Sequence, residues 1–212
     1  MNTILFGIGA YLIGSISFAV VVSKLFGLSD PRTYGSKNPG ATNVLRSGNK
    51  IAALLTLLGD GFKGWVVVWA TAHYGAQFGV EDKGVALVAV AVFLGHLWPI
   101  YTKFVGGKGV ATFFGVVLGL DPLLGLAALL TWLAVAALFR YSSLAALLSA
   151  LLAPVYFGLL IGADELGTQL KLAAVIFMSV LLIYRHNQNI GNLLAGKESK
   201  IGAKKKPAHS TH

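Results

Sequence analysis

Residues 109–139 read GVATFFGVVLGLDPLLGLAALLTWLAVAALF, with Asp121 as their single charged side chain. A helix rises about 1.5 Å per residue and a bilayer's hydrocarbon core is about 30 Å thick, so about 20 residues cross it. This stretch is too long for one span. Asp121 before Pro122 offers a break: a carboxylate that can cap a helix, then a proline suited to the first helical position. Dividing there gives 109–120 and 122–139, the first short for a full crossing. The division decides on which side of the membrane everything downstream lies.

The rest of the chain supports a membrane reading. Its 212 residues are 56% hydrophobic and only 12% charged, with mean hydropathy +0.73. Soluble domains carry about 25% charged residues. Residues 3–23, 84–102, 141–163 and 172–184 contain no Asp, Glu, Lys or Arg. Clean spans are expected over 3–23, 84–101, 142–162 and 168–185. Segment 51–74 is apolar but interrupted by Asp60 and Lys63. No basic stretch precedes the first run, so it reads as a retained span rather than a cleaved leader. Pro99 and Pro154 are expected to kink their helices. There are no cysteines, which excludes disulfides, thiolate metal sites and a cysteine acyl intermediate.

Seven spans result, and charge tests that count. With the N-terminus outside, 14 of the 17 Lys and Arg residues fall on the inner side, in 24–50, 103–108, at Arg140 and from Arg185 onward. Lys83 and Lys171 fall outside with Glu81, Asp82, Asp121, Asp164 and Glu165, and Lys63 lies within a span. The excess of Lys and Arg in cytoplasmic loops favours this orientation. A single span over 109–139 would put Arg140 and the C-terminal lysines outside. The expected fold is therefore an all-α integral membrane protein with seven transmembrane helices, N-terminus outside and C-terminus cytoplasmic. Residues 1–202 read as a single polytopic domain and 203–212 as a basic, disordered cytoplasmic tail drawn to anionic lipid.

Three polar stretches share the inner face. SKNPGATNVLR, Ser36 to Arg46, offers amides, hydroxyls and an arginine around a Pro39-Gly40 turn. VGGKGVAT, Val105 to Thr112, places glycines beside a lysine. It is not a nucleotide P-loop, because Gly109 stands where a Mg²⁺-binding Ser or Thr is needed and a membrane span, not a strand, precedes it. Backbone, charge and a helix start near Val110 nevertheless suit a phosphate. YRHNQNIGNLLAGKE, Tyr184 to Glu198, brings Arg185, His186, Asn189 and Glu198 to the same level. His186 is the candidate to orient a hydroxyl or take its proton. Within the spans, Asp60 and Lys63 share a helix face and are expected to form a supporting pair. His96, near the inner end of its span, either backs the site or packs.

On these motifs the chain resembles the bacterial acyl-phosphate-dependent glycerol-3-phosphate acyltransferases. Ser36, Asn38, Gly40, Asn43 and Arg46 match the family's S-x-N-x-G-x-x-N-x-x-R. Gly95, His96 and Gly106 to Thr112 match its GH…GGKGVAT. His186, Asn189, Ile190, Leu193, Gly196 and Glu198 match H-x-x-N-I…L-x-x-G-x-E, with Asn192 where the family is often basic. The resemblance implies a seven-helix enzyme of the bacterial inner membrane, its site facing the cytoplasm. It implies acyl transfer from acyl phosphate to the 1-hydroxyl of glycerol 3-phosphate, giving lysophosphatidic acid and phosphate for phospholipid synthesis.

Both substrates carry phosphate, and the motifs are assigned accordingly. Ser36, Asn38, Gly40, Thr42 and Asn43, with the backbone amides of Gly106 to Gly109 (Gly106, Gly107, Lys108 and Gly109), are expected to hold the acyl phosphate. Arg46 and Lys108 neutralise phosphate charge, with glycerol 3-phosphate as their client. His186 and Asn189 position the attacking hydroxyl, and Ser36 is a weaker candidate for the chemistry itself. Asp60, Lys63, His96 and Glu198 support. The expected partners are the two substrates and the bilayer, with no nucleic acid and no obligate protein partner. No cofactor and no metal are expected. A small-anion transporter is the rival reading, but it needs polar residues along a path through the membrane, whereas polar groups here crowd one face.

Overall fold

In the computed structural model, which describes residues 1–202, all regular elements are helical. The basic tail expected over 203–212 lies outside the described residues. The helices are α1 (Asn2–Gly14), α2 (Phe18–Leu25), α3 (Ala41–Leu45), α4 (Lys50–Tyr74), α5 (Asp82–Leu97), α6 (Val110–Leu120), α7 (Pro122–Phe139), α8 (Ser142–Leu160), α9 (Leu166–Arg185) and α10 (Asn187–Leu194).

The break read from Asp121-Pro122 is present. Asp121 is extended, and its carboxylate accepts from Leu124 N–H at 2.9 Å, with Pro122 opening α7. The break satisfies a helix-end donor that lipid could not solvate. Arg140, left-handed at φ 62°, then turns α7 into α8.

Five helical segments are long and apolar enough to cross a membrane, namely α4 with the turn after it (Lys50–Phe78), α5 with the turn after it (Asp82–Thr102), α7, α8 and α9, and α1 with α2 makes a sixth if the pair counts as one span. The continuous first span expected over 3–23 is in fact broken: α1 and α2 are bent by 40° around Ser15–Ser17. At 11 residues, α6 is about 16 Å long, roughly half the hydrocarbon thickness. Pro99 lies at a break within the apolar segment Asp82–Thr102: α5 ends at Leu97, and Pro99 leads into a 3-10 turn over Ile100–Thr102. Pro154 lies inside α8.

Two helix pairs approach closely through glycine. A Cβ on Gly14 would meet Val92 O and one on Gly95 would meet Tyr11 O, so α1 and α5 touch at backbone level. Gly64 and Gly115 do the same for α4 and α6, against Thr112 O and Gly61 O. Between helices in lipid, small residues allow the dispersion contacts that replace a hydrophobic driving force. The core is built from Phe93, Leu97, Phe113, Leu124, Phe157, Met178 and Leu182. Large apolar side chains such as Leu123, Leu130, Leu138 and Leu159 face outward, as they should against lipid.

Candidate active site

The site begins within the membrane helices. Lys63 and Asp60 are buried on α4, and the ammonium donates to the carboxylate at 2.8 Å. The pair does more than neutralise itself. Lys63 Nζ also donates to Ile16 O at 2.6 Å, and Phe18 N–H donates to Asp60 Oδ1 at 3.4 Å. These two backbone groups belong to the α1–α2 break, where a chain in lipid must find partners for its freed polar groups. Thr112 of α6 donates to Asp60 O at 2.9 Å. His96 is a third titratable group, its Nδ1 3.5 Å from Asp60 Oδ1. Sequence spacing cannot show this contact, because the two residues are on different helices.

His96 connects this network to the glycine loop. Gly107 N–H donates to His96 O at 3.2 Å, and a Cβ on Gly107 would run into the His96 ring. A Cβ on Gly106 would strike His96 O and Leu97 O, and one on Gly109, at φ 89°, would strike Phe93. Gly109 is the N-cap of α6. The glycines thus serve first to seat the loop on the end of α5. This revises the expectation that all their amides face a phosphate, since Gly107 N–H is spent on His96. Arg185, last residue of α9, donates to Gly106 O and Gly107 O at 3.2 and 3.0 Å.

In the first motif the central residue is structural. Asn43 is 2% exposed. Its Nδ2 donates to Pro31 O at 2.7 Å and Tyr34 O at 3.1 Å, while its Oδ1 accepts from Ser36 N–H at 3.0 Å and Arg46 Nη1 at 3.4 Å. All its hydrogen-bonding capacity goes to shaping the loop, leaving none for a ligand. Gly35 and Lys37 at positive φ complete the turn. Gly40 precedes α3 and leaves room for the Asn38 amide. Thr42 is exposed on α3 and does not line the cavity described below.

The third motif starts where α9 ends. His186 is 3% exposed, and its Nδ1–H donates to Leu182 O at 2.7 Å. A carbonyl only accepts, so the proton is on Nδ1 and the Nε2 lone pair is free. Burial pushes His186 down from its ordinary 6.5 to about 4, with Lys108 and Arg185 adding to the effect. At neutral pH it is an uncharged acceptor. Asn189 accepts a short hydrogen bond from Lys108 Nζ and donates to Glu198 Oε1 at 2.7 Å. Ser143, at the start of α8, donates to the same Glu198 oxygen at 2.6 Å. The chain Lys108–Asn189–Glu198–Ser143 therefore ties the second and third motifs together. Ser143 was not singled out by sequence; its only signal is its place at a helix start on the cationic face.

Ser36, Lys37, Asn38, Phe104, Val105, Gly106, Lys108 and Arg185 line one cavity of about 350 Å³. Burial pushes Lys108 below its ordinary 10.5; Glu198 opposes this, while Arg185 and Arg46 reinforce it. Three cations, Lys37, Lys108 and Arg185, thus line the cavity, with Arg46 and Glu198 acting on Lys108 from nearby, a field suited to a polyanion. Of the expected residues, Ser36, Asn38, Gly106 and Lys108 line the cavity. Asn189 joins through Lys108, Arg46 is close enough to act on that ammonium, and Asp60, Lys63 and His96 stand behind.

The family model described as Glycerol-3-phosphate acyltransferase matches residues 4–196. The glycerol-3-phosphate acyltransferase of Janthinobacterium sp. (strain Marseille) is 68% identical over 206 residues, spanning 97% of this chain and 100% of that one. That of Herminiimonas arsenicoxydans is also 68% identical over 206 residues, spanning 97% and 98%. Crystal structures of PlsY (YgiH), an integral membrane glycerol 3-phosphate acyltransferase, superpose with a TM-score of 0.84. The glycerol 3-phosphate form is 36% identical and the lysophosphatidic acid form 34%, each covering 95% of this chain and 96% of its own. The chain therefore belongs to the glycerol-3-phosphate acyltransferase family.

Proposed function

We propose that this protein transfers a fatty acyl group from acyl phosphate to the 1-hydroxyl of glycerol 3-phosphate, releasing lysophosphatidic acid and inorganic phosphate. The observation that carries the reading is the convergence of Lys108, Arg185, Ser36 and Asn38 on one cavity, with Asn189 bonded to Lys108. Solved relatives described with glycerol 3-phosphate and lysophosphatidic acid supply matching chemistry.

An acyl phosphate is an activated anhydride with a good leaving group, so the protein must chiefly align the hydroxyl and stabilise charge. Lys108 and Arg46 neutralise the phosphate of glycerol 3-phosphate. Ser36 and Asn38, with the first amides of α6, take the acyl phosphate. His186 accepts a hydrogen bond from the 1-hydroxyl through Nε2 and points that oxygen at the acyl carbon. A group that titrates at about 4 is too weak a base to keep the proton near neutrality. As the new C–O bond forms and the C–O bond to phosphate breaks, the proton passes to an oxygen of the departing phosphate.

The reading places a single domain, residues 1–202, in a bacterial cytoplasmic membrane with seven spans, counting the broken α1–α2 and the short α6. The N-terminus is outside and the site faces the cytoplasm. No native cysteine interferes with a topology test. Cysteine at Lys103 should label only from the cytoplasmic side, and cysteine at Glu81 only from the outside.

The deciding experiment uses purified protein in lipid with glycerol 3-phosphate and palmitoyl phosphate, following phosphate and lysolipid together. Parallel tubes hold palmitoyl-CoA in place of palmitoyl phosphate, or Lys108→Ala protein. Equal phosphate and lysolipid from acyl phosphate alone, strongly reduced but still measurable in the variant, is the expected result. No lysolipid from any donor, with folded protein, would sink the proposal.

A further inference from the structure

Arg185 lies just outside the third family pattern, yet it lines the cavity and holds the glycine loop by its carbonyls. Its Nη2 carries two protons, which go to two successive carbonyls, Gly106 O and Gly107 O. Its Cζ is 5.9 Å from the centre of the Trp98 ring, a distance at which a guanidinium gains from the π face. Its Nε–H is buried without a hydrogen-bond partner among the described residues. On the other side, Gly107 N–H is held by His96 O, and His96 is backed by Asp60.

In a trans peptide the C=O and the following N–H point in opposite directions. A clamp on Gly107 O therefore aims Lys108 N–H away from Arg185. That amide takes no part in the backbone bonding of the loop. Released, a glycine-rich loop can rotate this peptide and present a carbonyl oxygen where an anion needs a donor. Lysine cannot replace the clamp fully, because an ammonium is a point charge without the planar fork.

We propose that Arg185 is a positioning residue: it fixes the Gly106–Gly107 carbonyls and so sets the direction in which Lys108 and the first amides of α6 meet the substrate phosphate. The inference rests on the acyltransferase reading above.

The test compares full-length wild type, Arg185→Gln, Arg185→Lys, Lys108→Ala and the Arg185→Gln/Lys108→Ala double variant in lipid nanodiscs. It measures turnover of palmitoyl phosphate with glycerol 3-phosphate, and amide hydrogen exchange over residues 104–112. Arg185→Gln is expected to lower kcat/KM about 100-fold, and Arg185→Lys to recover all but about tenfold. Loop exchange should rise at least about tenfold in Arg185→Gln while that of α7 is unchanged. On the Lys108→Ala background, Arg185→Gln should cost no more than about twofold further, since both act through one loop. If Arg185→Gln does not fold, Arg185→Lys carries the test, with a loss of about tenfold and faster loop exchange expected. Unchanged exchange, unchanged turnover, or losses that multiply with Lys108→Ala would overturn the inference; multiplied losses would place the guanidinium on the substrate itself. Wild type that makes no lysolipid sinks both readings, whereas active wild type indifferent to Arg185 sinks this one alone.

Discussion

Of the most apolar window of the α5 span, 61% is buried inside the protein; of α7, 22%. Both segments are apolar enough to be read as spans from sequence, and they are used in opposite ways. α5 is rich in glycine, alanine and valine, so α1 reaches its backbone at Gly95 and the glycine loop folds onto its end at His96 and Leu97. α7 is rich in leucine, and Leu123, Leu126, Leu130 and Leu133 face outward. Length and hydropathy identify a span, whereas side-chain size decides whether other helices can gather around it.

The sharpest way to break the contrast is to remove the charge behind α5. Asp60→Ala leaves Lys63 buried without its counter-ion and strips a partner from Phe18 N–H. Such truncations cost about 3–5 kcal/mol, and chemical denaturation in micelles should show a loss of that size. Replacing both partners with apolar residues should be milder. It should still cost about 1–3 kcal/mol, because Ile16 O at the α1–α2 break is left unpaired. If the double change were neutral, the network would not be what secures the break.

Second in size is Gly107→Ala. The new methyl collides with the His96 ring and must displace the loop. Turnover should fall about 100-fold, since an error near 1 Å in a positioning group costs that much. Gly158→Ala on α8, where a Cβ meets nothing within 4 Å, is the control and should leave turnover unchanged. Equal losses in both variants would show that the loss at Gly107 does not come from the collision with His96.

A third test uses pH. The folded-state value of His186, about 4, lies below its ordinary 6.5, so the native state binds fewer protons than the unfolded one between those values. Stability is therefore complete above about pH 6.5 and declines as pH falls toward 4, by about 3 kcal/mol in all. Thermal unfolding of the wild type should show this decline, and His186→Gln should flatten it. The same variant should slow turnover at every pH without moving the pH–rate profile if His186 only orients the hydroxyl. A profile that shifts would restore the general-base role.

These tests probe what sequence alone could and could not show. The cap at Asp121 and the gathering of three motifs were legible, because each depends on local pattern or on the sum of charges. The break at Ser15–Ser17 was not. An uncharged run shows no reason to stop, and the residues that satisfy the break, Asp60 and Lys63, lie more than 40 positions away. The contact between His96 and Asp60 was hidden for the same reason. Asn43 fitted a ligand-binding motif, yet its four bonds all run to the protein, and only geometry separates a residue that binds from one that shapes the binder. Ser143 owes its place to a helix start that meets Glu198 in space, and Arg185 owes its hold on the glycine loop to a helix end that reaches it.

The smallest expected effect tests the premise of the comparison itself. Phe93 on α5 is fully buried and packs edge-on to Phe113, with ring centroids 6.4 Å apart. Phe93→Ala should cost about 3–5 kcal/mol through the cavity it leaves. Leu130 on α7 is 54% exposed. In lipid its outward atoms touch hydrocarbon chains whether or not α7 is docked, so truncation removes little that folding gained. Leu130→Ala should change stability in bilayers by less than about 0.5 kcal/mol and leave turnover unchanged. In water the same exposure would mark a docking patch, and in a membrane it marks the boundary with solvent. A large loss from Leu130→Ala, especially one that grows on dilution of the protein in lipid, would mean that another protein surface covers α7, and the contrast with α5 would then hold only for the single chain.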